Sequence, residues 1–244
     1  MANIKIAVFN EYKPLSDAEV ATAVEALQIQ VTRDFAPAWG IDADVTFYPA
    51  GKPRPKDSWQ LGIFDNSDQA GALGYHDVTK TGQPLGKIFA GTDKQYNSSW
   101  TVTASHELLE MLLDPEVNLS AMVEDRSGKA TLYAYEACDA VEADQFGYEI
   151  DVNGSKVLVS DFVFPSYFEN FHHKGAQYDY QKKVTQPFQL LEGGYTLIYQ
   201  ISSGSGWTQK YADATPLKYQ MRAHVGSRRE KRKTPRPEWI HSDK

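Results

Sequence analysis

The segment IKIAVFN (4–10) is a near-continuous apolar run. A strand of that kind is covered on both faces, so it belongs in the interior of a sheet. The chain must therefore supply neighbouring strands on either side and a layer to cover them. The next hundred residues meet that demand. SDAEVATAVEALQIQVTRDFAPAWG (16–40) places Val20, Val24, Leu27, Val31 and Phe35 at helical spacing. Ser16 stands at the N-cap, and Pro37 and Gly40 mark the end. ADVTFYPA (43–50), WQLGIFDN (59–66), ALGYHDVT (72–79) and KIFAGT (87–92) read as four further strands, with GKPRPKDS as a loop before the second of them. NSSWTVTASHELLEMLLDP (97–115) reads as a second long helix, with Asn97 to Ser99 as candidate caps and Asp114–Pro115 as its stop.

That second helix carries the chemistry. ASHELLEML holds His106, Glu107 and Glu110 as H-E-x-x-E. In the related pattern H-E-x-x-H, two histidines one turn apart hold zinc and the Glu activates water. With about 100° per residue, Glu110 lies about 40° from His106 and Glu107 about 100° from it, while Leu108, Leu109, Met111, Leu112 and Leu113 fill the opposite arc. His106 and Glu110 therefore share one side of the helix and can share an ion, with Glu107 beside them as a base. A plain amphipathic helix gives the same arrangement, since His and Glu belong on any polar face.

Downstream, AYEACDAVEADQFGYEIDVNG is the richest source of further ligands, with Glu136, Asp139 and Glu142. The same acids also suit a solvated strand and its loop. Cys138 is either a thiolate ligand or a small buried hydrophobe. His172 and His173 are an alternative donor pair or surface histidines. Asn153–Gly154 is a turn signal between two alternating segments, GYEIDV and SKVLVSDF, which read as a hairpin. GGYTLIYQ and WTQKYA, joined by ISSGSG, read as another.

The order strand, helix, four strands, helix with H-E resembles the N-terminal half of zincin metallopeptidases, especially the metzincins. The resemblance covers roughly residues 4 to 116 as an order of elements, and His106, Glu107 and Glu110 as a motif. Leu113 stands where that family has a Gly, and Glu116 where it has a third ligand. In the family, the strand before last is the sheet edge and pairs with an extended substrate. ALGYHDV is the matching segment here, which implies substrate contacts at Gly74, Tyr75 and His76. EACD resembles the E-A-x-x-x-D segment of the gluzincins, with a spacing shorter by one residue. That likeness implies a ligand role for Glu136 and an orienting or ligand role for Asp139. SHELLEML–DP and EACD–VE are also similar to stretches of uncharacterised bacterial and phage proteins.

The resemblance implies an α+β, zincin-like fold: a mixed twisted sheet with a long helix and an active-site helix, followed by a β-hairpin-rich C-terminal half. Residues 1–116 would form the zincin-like subdomain, 117–225 a β-rich subdomain, and 226–244 a flexible basic tail. The implied activity is metal-dependent hydrolysis of a peptide or protein held in a cleft. Its cofactor would be one divalent metal, zinc first, on His106, Glu110, Glu136 and Asp139, with Glu107 as the catalytic base. The alternative is an inactive structural or binding protein that retains the scaffold, of phage or prophage type.

Charge and composition limit the partners. Asp and Glu outnumber Lys and Arg by 32 to 25, and GSRREKRKTPRPE concentrates positive charge near the C-terminus. The acidic body argues against nucleic acid, apart from weak contacts through the tail. One cysteine excludes an intrachain disulfide framework and fits a reducing compartment. No run approaches the length of a membrane span or a secretory h-region, so a cytoplasmic protein with no membrane partner is expected.

Overall fold

The computed structural model describes residues 4–69, 72–170, 173–203, 206–212, 219–221 and 240–242. It is a mixed α/β chain with several sheets and few helices. The strands are β1 (Ile4–Asn10), β2 (Ala43–Phe47), β3 (Trp59–Phe64), β4 (Gly74–Val78), β5 (Pro84–Phe89), β6 (Ser120–Glu124), β7 (Ala130–Ala134), β8 (Tyr148–Val152), β9 (Ser155–Val159), β10 (Tyr195–Gln200), β11 (Trp207–Tyr211), β12 (Tyr219–Met221) and β13 (Ile240–Ser242). The helices are α1 (Asp17–Ile29), α2 (Ala36–Trp39), α3 (Ala90–Tyr96) and α4 (Trp100–Leu113).

The first five strands form one sheet in the order β2-β1-β3-β5-β4. β1 lies parallel to β2 and β3, and β3 is parallel to β5. Only β4 runs antiparallel, at the edge beside β5. β1 is interior, as its apolar run demands. The paired residues Val8 and Leu61, Ile63 and Ile88, and His76 and Gly86 share one face of this sheet, the face on which α4 lies.

α1 starts with a full capping box. Ser16 Oγ accepts from the Glu19 N–H, and Glu19 Oε2 accepts from the Ser16 N–H. The expected single helix to residue 40 is instead interrupted. Residues Gln30–Phe35 form a π-helical turn before α2, which ends at Gly40 in the left-handed conformation. π-Turns are rare and often sit at functional sites. This one opens on Gln30, which is fully buried. Its amide donates to Ser160 O at 2.9 Å and to Tyr148 Oη at 3.1 Å, and its carbonyl accepts from Ser105 Oγ at 2.6 Å. Ser105 Oγ also accepts from the Ser160 N–H at 3.0 Å. This network ties α1, α4 and the end of β9 together one residue from His106.

α4 is buried from Val102 to Leu113 on all sides. Leu108, Leu109 and Met111 are fully enclosed in the main core, each worth about 1.5–3 kcal/mol of burial. Asp114 ends the helix, and its carboxylate accepts from the N–H groups of Asn118 and Leu119. The main core crosses the expected division near residue 116. Ala137, Cys138, Ile150, Val152, Val157, Val159 and Phe162 pack with residues of β1, α1 and α4. The β8–β9 hairpin turns at Asn153–Gly154, both at positive φ. A second antiparallel sheet runs β11-β10-β7-β6. The expected fifth strand ends early: the chain leaves β5 at Phe89 and turns directly into α3, which the strand reading of 87–92 does not foresee. The β6–β7 hairpin is likewise found only in the structure.

No helix among the described residues is long and apolar enough to cross a membrane. Of the basic C-terminal segment, residues 226–239 and 243–244 lie outside the described residues. Ile240–Ser242 pairs with Tyr219–Met221.

A buried acid pair in the C-terminal half gives the fold a pH dependence. Asp161 and Asp179 are both fully buried. Asp161 Oδ1 accepts from the N–H groups of Phe162 and Gln181, and Asp179 accepts from those of Lys183 and Val184. Burial, together with the adjoining Asp179 carboxylate, pushes Asp161 up to about 9. An aspartate in the unfolded chain titrates near about 4. The folded state therefore keeps a proton that the unfolded state releases. This contribution is fully present below about pH 4 and is lost as pH rises through about 9. Asp161→Asn supplies a permanent N–H donor toward Asp179. It should flatten the fall in melting temperature between about pH 5 and about pH 9. Parallel melting curves for both proteins across that range would exclude a shared proton.

Candidate metal centre

Three separate segments converge beneath β4. α4 contributes His106, Glu107 and Glu110. The loop after β7 contributes Glu136, Cys138, Asp139 and Glu142. The edge strand β4 contributes His76, which the sequence reading places with Gly74 and Tyr75 on the substrate. His76 instead faces inward and is 0% exposed, while Glu110, Asp139, Glu136, Glu107 and His106 are 2–8% exposed.

Glu110 is the centre of the arrangement. Its Oε1 accepts from the backbone N–H groups of Cys138 at 2.9 Å and Asp139 at 3.2 Å. Its Oε2 lies 3.2 Å from His106 Nε2 and 3.8 Å from His76 Nδ1. His106 Nε2 is also 3.3 Å from Asp139 Oδ1. The two nitrogens of His76 face opposite carboxylates: Nδ1 is 3.5 Å from Glu107 Oε2 and Nε2 is 3.7 Å from Glu136 Oε2. The hydroxyl of Tyr195, from β10, lies near Asp139 and eases ionisation of its carboxylate.

The expected ligands His106, Glu110 and Asp139 are thus neighbours, while Glu136 stands on the far side of His76 and not against His106. Glu107 sits by His76. His173 is exposed and His172 lies outside the described residues. Tyr75 turns to the opposite face of the sheet, where its ring meets Phe89 and the Lys87 ammonium. The inward role of His76 follows from strand alternation once β4 is known to cover α4. Tyr195 has no local sequence signal at all.

The electrostatics show a site rich in negative charge. Burial, reinforced by the Glu110 carboxylate, raises Asp139 to about 6. Burial raises Glu142 to about 8. Burial by itself opposes ionisation of Glu110, but His106 outweighs it and draws Glu110 down to about 2. Burial lowers His106, and the Glu110 and Asp139 carboxylates overcome that effect and raise it well above its ordinary value. Burial raises the Cys138 thiol, so it is no ready thiolate without a cation beside it.

These donors fit a cation. His106, Glu110 and Cys138 bring their ligand atoms within 4.8 Å of one another; so do His76, Glu110 and Glu136, and so do His106, Asp139 and Glu142. Imidazole and carboxylate are ligands for divalent transition metals, and a cation offsets the charge that burial penalises. The buried His, Glu and Cys groupings can therefore hold a metal ion.

One glycine lets the edge strand close over this group. A Cβ on Gly74 would stand 2.7 Å from Glu107 Cγ and 2.8 Å from Thr103 Cγ2. A Cβ on Gly86, the partner of His76 across the strands, would stand 2.5 Å from Leu61 Cδ1. No family model, curated protein or solved structure matches this chain.

Gly74→Ala should displace β4 from α4 or turn Glu107 away from its place. A loss of about 1–3 kcal/mol in urea unfolding is expected, the usual scale of overpacking. An unchanged midpoint would mean that β4 and α4 are not held this close.

Proposed function

We propose that the chain is a metal-dependent peptide hydrolase with a zincin-like arrangement. The single observation that carries this reading is the position of Glu107. It is a carboxylate outside the His106–Glu110–Asp139 contacts, one residue along the helix from the first candidate ligand, and it lies directly under an edge strand.

His106 and Glu110 would hold the ion, with Asp139 against His106 beside them and zinc as the first choice. A divalent ion in such a centre polarises a carbonyl and makes water a stronger acid. The chain's own residues do the rest. Glu107 Oε2 accepts the proton of the attacking water and returns it to the leaving amine. His76, within 3.5 Å of that oxygen, orients the carboxylate. Glu110 is kept in place by two backbone N–H groups, so it need not reorganise as charge develops. Among the described residues β4 pairs only with β5, which leaves its outer edge open to an extended peptide. In zincins the strand before last is that edge, and β4 holds the same place in chain order. Activity in the cytoplasm is part of this proposal.

A second reading has its own observation. The whole group is buried, His76 completely. A closed cation centre that only ties β4, α4 and the 136–142 loop together would look the same, and would suit the scaffold alternative.

Glu107→Gln keeps the shape but not the base. Peptide hydrolysis should fall by about 100-fold or more while metal content stays at the wild-type level. Equal rates would remove Glu107 from the chemistry. Full metal content without cleavage across a broad peptide library would favour the closed structural centre.

A further inference from the structure

We propose that the cluster is a two-cation centre with Glu110 as the shared ligand. One ion sits at His106 on the Cys138 side, and the other between His76 and Glu136. The proposal rests on the metal-binding part of the proposed function and is independent of its hydrolytic part.

The donor groups divide at the imidazoles. Each group of three has its ligand atoms within 4.8 Å of one another, and among the described residues no such group contains both His76 and His106. Bonds of about 2.0–2.3 Å place any two donors on one ion at most roughly 4.5 Å apart. A single ion therefore draws on one imidazole or the other. Glu110 is common to groups on both sides. Its Oε1 is occupied by the Cys138 and Asp139 N–H groups, so Oε2, which lies between the imidazoles, is the oxygen to be shared.

Charge supports the count. Glu107, Glu110, Glu136 and Asp139 are four buried carboxylates. One divalent ion with two neutral imidazoles leaves half of that charge uncompensated in a buried site, which is costly. Two divalent ions match those four charges; Glu142, a partly buried fifth acid, lies outside that count. The His76 half offers one imidazole and two carboxylates, and the His106 half one imidazole, one carboxylate and a thiol. The oxygen-rich half suits manganese as well as zinc, because oxygen donors accept harder ions. A carboxylate between two cations is the layout of hydrolytic two-metal sites.

The test is metal content of the full chain after equilibrium dialysis against zinc, and separately against manganese. Two ions per chain are expected in wild type and one in His76→Ala. Glu136→Gln, which keeps its shape, should also fall to one and serves if His76→Ala fails to fold. The manganese-loaded protein should give a spin-coupled resonance spectrum, since the ions share a ligand. One ion in wild type that persists in both variants would overturn the second cation and leave the single centre standing. Two ions with uncoupled spectra would overturn the sharing by Glu110. No bound ion at all would overturn this proposal and the metal-dependent function together.

Discussion

The structure depends on how the Glu110 carboxylate is satisfied. It projects from the middle of a fully buried helix, where an unpaired charge would be costly. One oxygen takes the N–H groups of Cys138 and Asp139, and the other faces two imidazoles. Those contacts draw the loop after β7 against α4 and require β4 to bring His76 across. Three parts of the chain, far apart in sequence, are thereby held at one point.

The surrounding elements serve that point. Gln30, which opens the π-helical turn, bonds Ser105 and Ser160, which fixes the rotation of α4 beside His106. Gly74 keeps the inner face of the sheet edge low enough for the polar side of the helix to lie beneath it. The apolar side of the same helix fills the core with Leu108, Leu109 and Met111. A helix whose polar arc and apolar arc are both covered has little rotational freedom. That rigidity is what a ligand set on one helix face needs.

The balance of charge explains why the polar groups do not simply weaken the fold. Buried carboxylates in contact repel one another, and burial itself raises Asp139 and Glu142 despite the nearby His106. Either protons or cations must make up the difference. The imidazoles and carboxylates lie at mutual distances at which they could hold a cation. The Asp161–Asp179 pair elsewhere meets the same problem with a proton instead.

Local pattern was enough to identify much of this chain. The apolar run of β1, the capping box at Ser16, the Asn153–Gly154 hairpin and the two-faced composition of α4 depend on neighbours a few residues apart, so they are legible from the sequence. His106, Glu107 and Glu110 belong to that class, because helical spacing alone puts them on adjacent arcs. What tertiary structure decided is which way that arc faces. Amphipathicity by itself assigns His and Glu to solvent. Here β4 and the 136–142 loop cover them, and no short-range signal encodes that. The inward turn of His76, the separation of Glu136 from His106 and the reach of Tyr195 to Asp139 all result from strand order and register. Those are set by the burial of apolar faces across the whole chain, and they become visible only when distant segments meet.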